Sequence, residues 1–146
     1  MASELKVDKF TGVSTAGSIL VTGEGNSTTT NLQQGLLKNF VNMTSDGTAS
    51  IRDSFNTSGL TDRGVGDFTT AFTNNFRAVE YSFNGNAGRA TSEGGSRNTG
   101  GITFDDYSSS GSGPQTGSLM FTLRRKDNNV NADAEYLMTQ VAGDLA

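Results

Sequence analysis

The carboxylates come nearest to an arrangement that could do chemistry. Asp105 and Asp106 are adjacent, and Asp53, Asp62 and Asp67 lie close together in sequence. A pair of carboxylates can hydrolyse a glycosidic bond. Neighbouring residues on a strand point to opposite faces, however, so Asp105 and Asp106 would be a poor pair. Asp62 and Asp67, with Gly64 and Gly66 between them, could offer oxygens to calcium, as could Asp105 and Asp106. The run Gly64-Val65-Gly66-Asp67 echoes a repeat calcium motif, but such sites stack neighbouring repeats and this chain has none. Hydrogen bonding within a turn accounts for the same residues. The chain has no His and no Cys, which removes the usual general base, the commonest metal ligand and the thiolate nucleophile. Serines are plentiful, yet nothing in their spacing points to a Ser–Lys dyad. The glycine-rich loops lack the Gly-Lys-Ser/Thr ending of a phosphate cradle. The expectation is a protein that is not an enzyme, with no catalytic residue, no metal and no cofactor.

The elements around these residues read as β-structure. In residues 36–85, short apolar-and-Thr runs alternate with turn residues. Phe68, Thr70 and Phe72 would face one way from a strand, and Thr69, Ala71 and Thr73 the other. Val79, Tyr81 and Phe83 repeat the pattern. A period of two marks half-buried strands. Gly, Asn and Asp punctuate the runs at residues 45–47, 62–67 and 74–75, where hairpin turns need positive φ. Leu37, Val41 and Met43 are expected on one face of the first strand, with Leu36 and Phe40 on the other. Ala49, Ile51 and Phe55 would share a face of the next. Asp53 interrupts that pattern, which calls for a β-bulge or a buried carboxylate. Leu119, Phe121 and Leu123 alternate inward in a later strand. Residues 132–141 fit either a helix capped by Asp133 or a strand, and Tyr136 and Thr139 favour the strand. Phe68, Phe72, Tyr81, Phe83, Leu119 and Phe121 form the expected core. The fold class is all-β, an antiparallel, jelly-roll-like β-sandwich with an N-terminal anchoring segment.

Residues 1–34 form the anchoring segment and linker, and residues 35–146 the sandwich body. Leu5, Val7 and Phe10 sit in one candidate strand, and Ile19, Leu20 and Val21 in another. Residues 23–31 contain no apolar side chain and read as an extended linker. A strand pair this short needs a covering surface. Either it docks on a partner, or it is tied into its own sheet. Residues 85–117 are dominated by Gly and Ser, with one short strand around Ile102 and Phe104. Long loops of this kind are usually functional or disordered. Arg89, Arg97 and Tyr107 are the loop residues suited to contacting sugars or protein surfaces. Only 33 % of residues are hydrophobic and 19 are Gly, so burial within one copy is thin against chain entropy, and association with further copies would add to it. The net charge of −4, with basic residues scattered, argues against nucleic acid. No apolar run reaches membrane-helix length, and the N-terminus lacks a signal-peptide pattern, so synthesis in the cytoplasm without membrane insertion is expected.

One set of motifs resembles a known family. Gly35-Leu36, Lys38 and Phe40-Val41-Asn42 open the pattern, the run from Ile51 to Asn56 continues it, and the run from Leu60 to Phe68 supplies its turn. Weaker echoes lie at Glu4-Leu5-Lys6-Val7-Asp8 and Val141-Ala142-Gly143-Asp144. Together these are similar to the small structural and fibre-type proteins of tailed bacteriophages of marine bacteria and cyanobacteria. Phe40 stands where that family often has Trp. The resemblance implies a virion structural protein, made in the host cytoplasm and residing in the virion. It would be a trimeric short fibre or tail-associated protein that presents its loops outward. Its partners would be its own copies, other virion proteins through the N-terminal segment, and host-surface glycans or proteins. The alternatives are a capsid decoration or head-fibre protein, and a small non-viral carbohydrate-binding domain.

Overall fold

Alternation of apolar and polar side chains decides most of the architecture. The computed structural model describes residues 4–13, 19–22, 29–88, 101–104, 114–125 and 130–146. The chain divides into two units, Met1–Leu36 and Leu37–Ala146.

In the first unit, β1 (Leu20–Thr22) pairs antiparallel with β2 (Thr29–Asn31), and one helical turn, α1 (Leu32–Gly35), follows. The Leu32 N–H donates to the Ile19 carbonyl at 2.9 Å and ties the turn to the ribbon. Residues 4–13 contain no strand, so the strand expected around Leu5, Val7 and Phe10 does not form. Part of the expected linker is instead a strand: Thr29 and Thr30 are β-branched and suit a pleated ribbon.

The second unit contains β3 (Asn39–Thr44), β4 (Ser50–Phe55), β5 (Thr57–Gly64), β6 (Asp67–Phe72), β7 (Ser82–Gly88), β8 (Gly101–Phe104), β9 (Ser118–Arg124) and β10 (Tyr136–Ala142). They form one antiparallel sheet of eight strands in the order β4-β3-β10-β7-β8-β9-β6-β5. The two edge strands, β4 and β5, are consecutive in sequence with only Asn56 between them. The sheet therefore curls until its edges nearly meet. The fold is all-β, a near-closed eight-stranded antiparallel sheet.

Three asparagines hold that corner. Asn56 has φ of 56°, a left-handed conformation that Asn tolerates better than most residues. Its Oδ1 accepts the Asn74 N–H at 2.7 Å, and its Nδ2 donates to the Asn74 carbonyl at 3.1 Å. The side chain of Asn39 is fully buried beneath the corner. Its Nδ2 lies 3.0 Å from the Phe55 carbonyl, 3.1 Å from that of Asn56 and 2.8 Å from Thr57 Oγ1.

The core lies inside the curl. Val41 and Met43 from β3, Phe68 and Phe72 from β6, Leu119, Phe121 and Leu123 from β9, and Leu137 and Val141 from β10 are all buried. Each burial contributes about 1.5–3 kcal/mol relative to exposure. Of the six expected core residues, five are buried and Phe83 is half-buried against the same cluster. Residues 136–142 are a strand, with Leu137, Thr139 and Val141 inward and Tyr136, Met138 and Gln140 outward. The connection from β6 to β7 supplies an aromatic plug. Phe76 is 4.9 Å from Phe72 and 4.8 Å from Tyr81 between ring centroids. Gly143 passes so close that a Cβ there would lie 2.8 Å from the Tyr81 Cβ.

Four expectations are corrected. Leu37 is exposed and does not join Val41 and Met43, because β3 begins only at Asn39. The segment 60–67 is mostly strand: β5 runs to Gly64, and the turn is Val65-Gly66 alone. Register shifts at Thr57/Gly59 and Asp62/Gly64 hid its alternation. The strand expected from Val79 starts later, at Ser82, with Val79 exposed, and it continues through Gly85 to Gly88. Glycine serves inside β7 because Ile102 fills the space over Gly85, where a Cβ would meet Ile102 Cδ1 at 2.9 Å. Finally, Ile51 and Phe55 do not share a face, because the bulge expected near Asp53 is present: Asn42 pairs with Asp53 but Met43 with Ile51. It leaves Ile51 packed on the core and turns Phe55 outward, away from Ile51.

Two outcomes are expected. Asn39→Ala leaves the Phe55 and Asn56 carbonyls short of a donor and should cost about 1–3 kcal/mol in urea denaturation. Asn39→Asp should cost more, because it sets an anion against three acceptors; an unchanged midpoint for both would mean the corner holds without Asn39. Tyr81 is the second case, since burial pushes its hydroxyl up to about 12. Below pH ~10 the hydroxyl is protonated in both states; above it the unfolded chain loses its proton first. Stability should therefore fall between pH 10 and 12, by roughly 2–3 kcal/mol, and Tyr81→Phe should abolish that part of the slope in pH-dependent melting.

Candidate functional site

The outer face of β4-β3-β10-β7 carries a ladder of side chains that the strand registers align in rows. Phe40 pairs with Phe55 on one side and Gln140 on the other, and Gln140 pairs with Asn84. One row thus reads Phe55, Phe40, Gln140, Asn84. Asn42 pairs with Asp53 and Met138, and Met138 pairs with Asn86. The adjacent row reads Asp53, Asn42, Met138, Asn86. Beyond it, the Arg52 guanidinium lies over the Tyr136 ring at 4.6 Å from the centroid. The bulge places Arg52 and Asp53 on this rim side by side.

All of these row residues except Phe55 line a groove of about 400 Å³, within the range of roughly 300–1,000 Å³ usual for small-molecule sites. Leu37 and the backbone of Gly85 complete its wall. Phe40 and Phe55 stack with centroids 6.4 Å apart and planes 24° from parallel, so one aromatic shelf lies at the groove's end. Asp53 Oδ1 accepts the Ser54 N–H at 2.8 Å. Asn42 Oδ1 is enclosed and has no hydrogen-bond partner, an unused acceptor in the groove wall.

The other candidates from the sequence fall elsewhere. Asp62 Oδ1 accepts the Gly64 N–H at 3.0 Å, and Asp133 Oδ1 accepts the Gly66 N–H at 2.9 Å, so this loop uses its carboxylates for turn hydrogen bonds. Gly66 has φ of 68° and packs against residues 123 and 132. Among the described residues no group of three or more carboxylates is placed to hold a metal ion. Asp105, Asp106, Arg89, Arg97 and Tyr107 lie outside the described residues. Leu5, Val7, Phe10, Leu20 and Val21 are exposed and Ile19 is half-buried. Lys38 is buried in the body, and burial lowers its ammonium below the usual lysine range while Asp144 opposes that shift.

Sequence reasoning placed Phe40 on the face opposite Val41 and Met43 and noticed Asp53, but it did not assemble the groove. Alternation with Phe83 puts Asn84 on the face opposite the apolar residues, but Asn86 was hidden in a Gly-Asn stretch that resembles a loop. For Asn86 the alternation continuing to Ala87 was the available signal. Comparison with known protein families, curated proteins and solved structures yields no match.

The assignment of faces has a direct consequence for stability. Phe55 is 52 % exposed on the groove rim whereas Phe121 is fully buried. Phe55→Ala should cost no more than about 1.5 kcal/mol, the worth of an aromatic pair. Phe121→Ala should cost about 3–5 kcal/mol. Equal losses in chemical denaturation would contradict the division into outer and inner faces.

Proposed function

We propose that this chain is a virion structural protein of a tailed bacteriophage, a short fibre or tail-associated protein that works by binding and assembly without catalysis. The observation that carries the reading is the exposure of large apolar side chains in the N-terminal unit. Leu5 is 76 % exposed, Phe10 62 % and Leu20 60 %. Leu20 belongs to a short two-stranded ribbon that would be marginal in water unless something covered it. Strand addition or packing on a neighbouring subunit covers such a ribbon, with main-chain hydrogen bonds for affinity and side chains for register. The motif resemblance from Gly35 to Phe68 supports the phage assignment, and with the thin core it supports a trimer.

In this reading the body is a jelly-roll-like sandwich. Its layers are β4-β3-β10-β7 and β8-β9-β6-β5, joined at the Asn56 corner and through the β7–β8 pairing at Asn86 and Gly101. The connections β6 to β7 and β9 to β10 both cross between the layers. The N-terminal unit anchors the protein to the particle.

Deleting residues 2–22 should leave a folded β-rich body by circular dichroism that no longer co-purifies with virions, while the full chain does. Light scattering should give a trimer for the full chain. Normal incorporation of the truncated chain would place the anchor elsewhere. Unfolding of the body would make the segment part of the core, and a folded full-length monomer would remove the trimer.

A further inference from the structure

We infer that the groove on the outer face of β4-β3-β10-β7 binds a neutral carbohydrate. The inference rests on the groove alone and stands whether or not the protein belongs to a virion.

The lining explains the choice of ligand. Asn42, Asn84, Asn86 and Gln140 come from three strands and face one groove. Each side-chain amide offers both a donor and an acceptor. A sugar hydroxyl also does both, and vicinal hydroxyls match the spacing of an amide's oxygen and nitrogen. Asp53 adds a carboxylate, an acceptor for hydroxyl protons. Phe40 and Met138 supply apolar surface between the amides, suited to the C–H face of a pyranose ring. Polar groups that fix orientation around a mostly apolar floor are the usual composition of a small-ligand site.

The same lining disfavours other occupants. An apolar peptide or a lipid tail would strip water from the four amides without replacing their hydrogen bonds, an unfavourable exchange for each one. Among the described residues that line the groove there is no Lys or Arg, and Asp53 is the one charged residue. A phosphate backbone or an acidic sugar would therefore meet a carboxylate and no cation. Arg52 stands outside the groove, over Tyr136. A neutral sugar meets neither penalty, and it can satisfy Asn42 Oδ1 once the amide turns toward it.

The test is nitrogen-edited NMR on the full chain. Glucose, galactose, mannose, N-acetylglucosamine and their β-linked disaccharides would each be titrated to millimolar concentration. At least one should give saturable shifts at the side-chain amides of Asn42, Asn84, Asn86 and Gln140. The double variant N86A/Q140A, altered only at exposed outward positions, should keep the wild-type melt and weaken that sugar at least tenfold. The inference is overturned if no sugar on the panel gives saturable shifts, or if the shifts map to other residues. It is equally overturned if the folded double variant binds as the wild type does. Shifts at these amides that depend on protein concentration without sugar would assign the face to a second copy of the chain and overturn the carbohydrate.

Discussion

The body depends on a turn made by one residue. Asn56 carries the chain from one edge of the sheet to the other, so β4 and β5 are at once neighbours in sequence and opposite ends of the strand order. An eight-stranded antiparallel sheet with two open edges would expose two rows of unpaired backbone groups. Joining the edges at Asn56 reduces that exposure without a barrel-wide ladder. The conformation is costly for most side chains, and here the surroundings determine it completely. Asn74 clasps Asn56 from one side, and Asn39 reaches its carbonyl from beneath. Because Asn39 begins β3, the same contact that closes the sheet also sets where β3 starts and which of its residues face out.

The two faces of β3 therefore serve different ends. Inward, Val41 and Met43 join the buried cluster. Outward, Phe40 and Asn42 stand between β4 and β10 and form the centre of the groove. The bulge opposite Asn42 and Met43 adjusts the same strand pair. Without the extra residue, Phe55 would fall on the core side and the rim would lose its aromatic shelf. A local irregularity in β4 thus produces a global sorting of side chains, as expected where register is strongly specified by burial.

Much of this was legible in the sequence wherever side chains alternate cleanly. β6, β9 and β10 each carry an apolar residue or Thr at every second position, and each is a strand with those residues inside. The bulge could be anticipated because Asp53 broke an otherwise regular run. Legibility failed where conformation outweighed composition. β5 and the second half of β7 contain glycines that read as turns, yet a bulge or a neighbour such as Ile102 makes glycine compatible with the sheet. Phe76 gave no signal because it lies in a connection and reaches the core as a lone aromatic. The groove could not be read at all without strand order, since Asn42, Asn84 and Gln140 are distant in sequence and meet only through β10.

That last pairing has a kinetic meaning. β10 is laid between β3 and β7, so Asn39 meets Val141 across most of the chain. Contacts of such high sequence separation require loop entropy to be lost before any ladder forms, and topologies dominated by them fold slowly. Hairpins such as β5–β6 can close early and locally. The face that carries the groove cannot, because its central strand follows both of its neighbours in the chain. During synthesis the edges that β10 will join on β3 and β7 wait open, so the groove takes shape only after translation has delivered β10.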